Sequence, residues 1–186
     1  MPEGTPDAIC CLDGADWTLV FAAAALREIG AHAQTKPLSK ESVGQLYCQD
    51  LTAGSIVIEL ATTLPQSHAS YSSVQFNRDA AAAERAELFN DGWHCVGLWH
   101  SHPEAYPRPS STDALLAADH ARAAATHLNG LLFAILGTRP VPDGLAVWVH
   151  DGSRFLQARW QSSSPFHDSI AVEIHQGCIK RRPVDK

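Results

Sequence analysis

Strand-length apolar runs are interleaved with stretches of helical period along this chain, and that interleaving limits its fold more than any other feature. Val43–Cys48, Ser55–Ala61, Cys95–His102, Leu131–Gly137 and Leu145–His150 each read as a strand. Between them, Ala22, Leu26, Ile29 and Ala33 recur at i, i+4, i+7 and i+11, one buried helical face. Asp79–Phe89 is dense in Ala and Glu and predicts a helix ending near Asp91-Gly92. Ser110 or Ser111 can cap a third helix running to about His127, stopped by Asn129-Gly130. Ala8–Leu12 and Trp17–Phe21 flank an Asp13-Gly14 turn, and Arg154–Trp160 follows Asp151-Gly152 as a last strand. Leu64–Tyr71 is Ser-rich with one proline and reads as loop, and the three prolines of Pro103–Pro109 make that segment irregular. Without repeats or a dividing linker, the pattern predicts one α/β domain with a mixed sheet.

Composition removes several function classes. At 186 residues, 45% hydrophobic and 18% charged, the chain is of ordinary globular make-up and can bury a core. Its net charge is −6, and residues 1–179 are more acidic still, with ten basic against nineteen acidic side chains. Such a surface is a poor match for nucleic acid, whose binding depends on neutralising phosphates. Lys180, Arg181, Arg182 and Lys186 read as a solvated tail. The longest apolar run, Leu19 to Leu26, is eight residues, against about 20 for a spanning helix. No Lys or Arg precedes Arg27, so a signal-peptide n-region is not expected. Five cysteines without a C-x-x-C pair argue against both a disulfide framework and a cysteine zinc site. A cytoplasmic location is the expectation, with neither membrane nor nucleic acid as partner.

The chemistry concentrates in residues 97–113. On a strand, His100 and His102 point to one face, with Cα atoms about 7 Å apart, so their imidazoles can converge on one metal. Ten residues separate His102 from Asp113, which lies across the proline loop in the first turn of a helix and can return its carboxylate to the same ion. Two His and one carboxylate on tetrahedral Zn²⁺ leave one position open, the layout of a catalytic site. Water there still needs a carboxylate base, and Glu41 and Glu59 are the candidates with strand neighbours. Ser110, three residues before Asp113, can donate to a developing oxyanion; the same Ser-x-x-Asp spacing also fits a capping box. The remaining histidines, His32 among them, have no comparable neighbours and read as surface or core residues.

His100-Ser-His-Pro103, with Ser110 and Asp113 at fixed spacing, resembles the signature of the JAMM (MPN+) zinc metallopeptidases, which include deubiquitinases. Glu41-Ser-Val-Gly-Gln-Leu-Tyr-Cys48, 59 residues before His100, looks like the family's Glu-led strand and favours Glu41 over Glu59 as base. Val43 and Cys48 stand where glycines are usual, which predicts altered packing near Glu41 without loss of zinc. The resemblance covers residues 17–160, leaving 1–16 and 161–186 as N- and C-terminal extensions. It implies a cytidine-deaminase-like α/β fold, a Zn²⁺ cofactor, and hydrolysis of an amide or isopeptide bond after the C-terminal tail of a ubiquitin-like protein. The compact form looks most like bacterial members found beside ubiquitin-like proteins and their activating and conjugating enzymes, often in anti-phage operons. Zinc peptidases of this fold acting on sulfur-carrier precursors or phage-tail peptides, and non-catalytic MPN scaffolds, are the alternatives; the intact ligand set disfavours the scaffold.

Overall fold

Leu131–Leu136 is apolar at all six positions, and in the computed structural model, which describes residues 7–37, 39–69 and 74–161, it is buried on both sides. Even-numbered Leu132, Ala134 and Leu136 enter one core, while Leu131 and Phe133 enter another. A strand with two dry faces belongs in the middle of a sheet covered on both sides.

In chain order the elements are β1 (Ala8–Cys11), β2 (Thr18–Phe21), α1 (Ala23–Gly30), β3 (Val43–Cys48), β4 (Ser55–Ile58), β5 (Leu60–Ala61), β6 (Gln66–Ala69), β7 (Val74–Phe76), α2 (Arg78–Asn90), β8 (His94–Ser101), α3 (Ser111–Ala124), β9 (Leu131–Leu136), β10 (Leu145–His150), β11 (Phe155–Gln157) and β12 (Arg159–Trp160). The main sheet runs β11-β10-β9-β8-β3-β5; only β8 and β9 are parallel neighbours in it. A second sheet, β12-β1-β2-β4, shares the larger core with α1, whose Leu26 and Ile29 are fully buried. Each such side chain contributes about 1.5–3 kcal/mol. On the other face, Ala117 and Ala121 of α3 pack on Leu98, Leu131 and Phe133. The mixed α/β fold class expected from the sequence is the one found.

Five segments differ from the sequence reading. Ser55–Ala61 is two strands: β4 pairs parallel with β2, β5 pairs antiparallel with β3, and the change of sheet falls at Glu59. Arg154–Trp160 divides likewise, β11 on β10 and β12 on β1, about a buried Ala158 whose N–H donates to Val147 O (2.9 Å). A strand that changes sheets keeps its apolar pattern, so composition does not mark the switch. The first helix ends at Gly30, three residues short of Ala33, and the third ends at Ala124, before His127. Within the supposed loop Leu64–Tyr71, β6 pairs with β7 as a small hairpin. The 17–160 boundary falls between β1 and β2, which pair antiparallel around Gly14 (φ +82°). The expected extension beyond residue 161, with Cys178 and the basic tail, lies outside the described residues, as do residues 1–6 and 70–73.

Val43, standing where a glycine was expected, is buried with Leu64 and Ala81. The indispensable glycine is the next one. A Cβ on Gly44 would collide with Thr62 O and with Trp99 Nε1, which donates to that same oxygen at 2.9 Å. Among the described residues no helix is long and apolar enough to cross a membrane.

Candidate metal centre

Side-chain alternation along β8 sorts its last residues between the two faces of the sheet. His100 turns to the α3 side, and Trp99 and Ser101 turn to the α1 side, Trp99 within the larger core. His102 follows the strand and is fixed by its N–H, which donates to Leu136 O at 2.7 Å. Beyond it the proline loop is tied to the end of β9 and the turn that follows. Thr138 N–H donates to Glu104 O (2.9 Å) and Arg139 to the Tyr106 hydroxyl (2.6 Å). Gly137 is needed beneath this loop, because a Cβ there would press on Glu104 O and Pro107.

The loop delivers the chain to Ser110, the N-cap of α3. Ser110 Oγ accepts from Asp113 N–H (3.1 Å), and Asp113 Oδ2 accepts from Ser110 N–H (2.7 Å), a reciprocal capping box. The cap satisfies helix N–H groups and locks the Asp113 side chain in one orientation at once. From that orientation Asp113 Oδ1 lies 3.3 Å from His100 Nε2 and Oδ2 lies 3.6 Å from His102 Nε2. The two Nε2 atoms are 3.0 Å apart.

These three edges fit a tetrahedral zinc, for which bonds of about 2.0–2.1 Å imply ligand separations of roughly 3.3 Å. Among the described residues, His100, His102 and Asp113 form the one group of His, Cys, Asp and Glu able to hold a metal ion. The donor chemistry agrees. Burial and the neighbouring His100 keep His102 below the usual histidine pKa, favouring the neutral ligand form. Burial pushes the Asp113 carboxyl up, but the hydrogen bond and charge of His100 and the two Ser110 contacts outweigh it and hold it well below the usual carboxylate range. Glu104, not singled out from the sequence, reaches the other ring nitrogen of His102, Nδ1, at 3.5 Å. Carboxylates in that position orient metal-binding imidazoles. Its one sequence signal was an acid two residues after His102.

Glu41 is 4% exposed and sits just before β3, whose Val43 pairs with His100. Burial raises its pKa to about 7; the His100 charge opposes that rise, while Asp113 and Glu104 add to it. The charges it feels belong to the metal-ligand cluster. Glu59 is elsewhere, at the sheet switch, accepting from Gln49 N–H at 3.2 Å. The structure thus brings His100, His102 and Asp113 together with Ser110 and within electrostatic reach of Glu41, and leaves Glu59 out.

A mixed sheet presenting two histidines of one strand to an aspartate at a helix N-terminus defines an α/β domain built around three side chains able to hold a metal ion. The family model for prokaryotic homologs of the JAB domain matches residues 22–150, from α1 through β10. The chain belongs to this JAB/MPN family, which contains metallopeptidases. No curated protein matches it. Its fold is similar to the solution structure of a protein from Desulfitobacterium hafniense (TM-score 0.51, 21% identity, 74% of this chain and 85% of that one). Looser likenesses are a JAB1/MPN domain protein from Archaeoglobus fulgidus (TM-score 0.41, 16% identity, 71% and 88% covered) and a protein from Salinibacter ruber (0.43, 20%, 72% and 83%).

Proposed function

We propose that this protein is a zinc-dependent peptidase or isopeptidase that cleaves after the C-terminal tail of a ubiquitin-like protein, in deconjugation or precursor processing, within a bacterial ubiquitin-like conjugation system. The observation that carries the reading is the convergence of His100, His102 and Asp113 at zinc-ligand spacing beside a buried Glu41. The three side chains would hold the ion, with Glu104 steadying His102 from behind. Zinc, when bound, supplies Lewis acidity, polarising a carbonyl and bringing the pKa of water to about 7.

The chain's own residues do the rest. Glu41 accepts the proton of the attacking water on its carboxylate and returns it to the leaving amine. A carboxyl pKa near neutrality suits both halves of that task. Ser110 donates its O–H to the oxyanion that develops on the scissile carbonyl. Its capping bond does not compete, because accepting the Asp113 N–H uses an oxygen lone pair and leaves the hydroxyl proton for the substrate. The proline loop, pinned at Glu104 and Tyr106, is one wall for an extended tail. A tail lying against backbone requires small residues at its last two positions.

The test is cleavage of a ubiquitin-like fusion by the zinc-loaded protein, with chelated protein and Glu41→Gln as controls. Cleavage by wild type alone supports the reading, and efficient cleavage after the tail's terminal glycines are changed to leucine removes the ubiquitin-like tail from it. Equal cleavage by chelated protein removes zinc.

A further inference from the structure

Behind the metal-ligand face of β8, on the α1 side of the sheet, lies a second set of polar contacts that the proposed chemistry does not use. Ser101, between the two histidines, is fully buried. Its N–H donates to Ser42 O (2.9 Å), which continues the β3–β8 ladder by one rung. The return bond is not a backbone one. Ser42 N–H donates instead to Ser101 Oγ at 2.9 Å, while Ser101 O accepts from Gln34 Nε2 at 3.0 Å. Gln34 Nε2 also reaches Ser101 Oγ, at 3.2 Å. A side chain has replaced a carbonyl in the ladder at the residue after Glu41.

Ser42 is held from a second direction. Its Oγ lies 3.2 Å from His32 Nδ1, and His32 Nε2 lies 3.0 Å from Thr63 Oγ1 and 3.4 Å from Glu28 Oε1. The His32 ring rests on Trp99, 5.4 Å between centroids. The histidine read from sequence as an isolated surface or core residue is part of a chain of contacts from α1 to the residue beside Glu41. Gln34 is 95% buried, yet among the described residues its Oε1 has no hydrogen-bond partner. Its nitrogen serves both Ser101 O and Ser101 Oγ.

We infer that Ser101 and Gln34, backed by His32, are positioning residues for Glu41: a buried clamp that fixes the chain carrying Glu41 against the strand carrying His100 and His102. The inference rests on the reading of Glu41 as base. Proton transfer depends steeply on the separation between base and reacting water, and a displacement of about 1 Å can cost roughly 10²-fold. β3 itself begins at Val43, two residues after Glu41. The Ser42–Ser101 rung is the ladder contact next to Glu41 in the chain, so it limits local opening there.

The test uses the zinc-loaded full chain and the variants Ser101→Ala, Ser101→Thr, Gln34→Leu and Gln34→Met. Amide hydrogen exchange at Ser42 is expected to speed roughly tenfold or more in Ser101→Ala and Gln34→Leu, with amides of β9 unchanged. Zinc affinity, measured by chelator competition, should stay within about threefold of wild type, because the ligands sit on the opposite face. Ser101→Thr retains the hydroxyl and should restore protection. On a ubiquitin-like fusion, kcat should fall roughly ten- to a hundredfold at unchanged KM. Unaltered Ser42 exchange, or exchange rising equally across the core, overturns the proposal; so does zinc loss in Gln34→Leu and Gln34→Met alike. If wild type cleaves nothing while the exchange pattern appears as expected, the clamp stands and the peptidase reading falls.

Discussion

Two polar clusters sit on the face of the main sheet that α2 and α3 cover, and they are built on opposite principles. Between α2 and β3, Glu84 Oε1 accepts from Gln45 Nε2 (2.8 Å), Tyr47 OH (2.9 Å) and Thr62 Oγ1 (2.6 Å), while Arg85 donates to Gln45 Oε1. Donors and acceptors are matched, so the cluster is satisfied as it stands and serves to seat α2 on the sheet. Between α3 and β8, His100, His102 and Asp113 aim three ligand atoms within 4.8 Å of one another. Acceptor-rich groups pressed together call for a cation. A buried polar cluster that closes on itself is architecture; one whose atoms converge on a shared point is a site.

The largest effect should come from breaking the convergent cluster. Wild type should bind one Zn²⁺ per chain and the His100→Ala, His102→Ala double variant none, measured by elemental analysis. Zinc at about 100 times its Kd should stabilise wild type by about 2.7 kcal/mol and the variant not at all, measured by urea unfolding with and without chelator. Stoichiometric zinc in the double variant would falsify the ligand assignment.

Next is Glu41→Gln, which keeps the shape but loses the proton acceptor. Folding and zinc content should persist while turnover falls ~10²–10⁴-fold. Near-normal turnover, or its collapse in Glu59→Gln instead, would move the base to Glu59. The self-closed cluster should show the reverse pattern. Glu84→Leu strands three donors and should cost about 3 kcal/mol in urea unfolding, with zinc stoichiometry intact. If Glu84→Leu loses zinc instead, the two clusters are not separable.

Ser110→Ala tests a residue with one foot in each category. Loss of the cap should cost about 1 kcal/mol, and loss of the oxyanion donor should lower kcat by roughly 10²-fold with zinc retained. A stability effect alone assigns Ser110 to capping.

The smallest effect is in pH dependence of the metal-free protein. Glu41 has its pKa raised from 4.5 to about 7, so between those values the native state binds a proton that the unfolded chain has released. Its contribution therefore declines as pH rises through that window. Asp113 has the opposite sign: its lowered pKa stabilises the fold above about 3.8, and the gain is lost as pH falls. Urea midpoints at pH 5 and pH 8 in chelator should converge in Glu41→Gln relative to wild type.

The meeting of His100, His102 and Asp113 was legible because strand alternation and the cap at Ser110 are local rules, readable from residues 97–113. The all-apolar run of β9 announced a strand in the same way. What sequence did not disclose depends on distant pairing. Glu59 and Ala158 mark sheet switches only because β2 and β1 offer second partners, and nothing in Ser55–Ala61 separates one strand from two. Gln34 and Ser101 lie 67 residues apart, and a glutamine after a helix and a serine between two histidines carry no mark of each other. Glu84 was visible only as one acid in an Ala- and Glu-rich helix, with its three donors on β3 and just after β5.

The division of β8 between two faces makes its register with β3 a kind of checksum. Val43 is paired with His100, and one rung further on Ser42 meets Ser101. A slip of one residue would turn Ser101 toward α3 and both histidines into the core beside α1. The chain would then have neither the His100, His102 and Asp113 cluster nor its polar contacts to α1. The meeting of His100, His102 and Asp113 therefore depends on the two central strands annealing in phase.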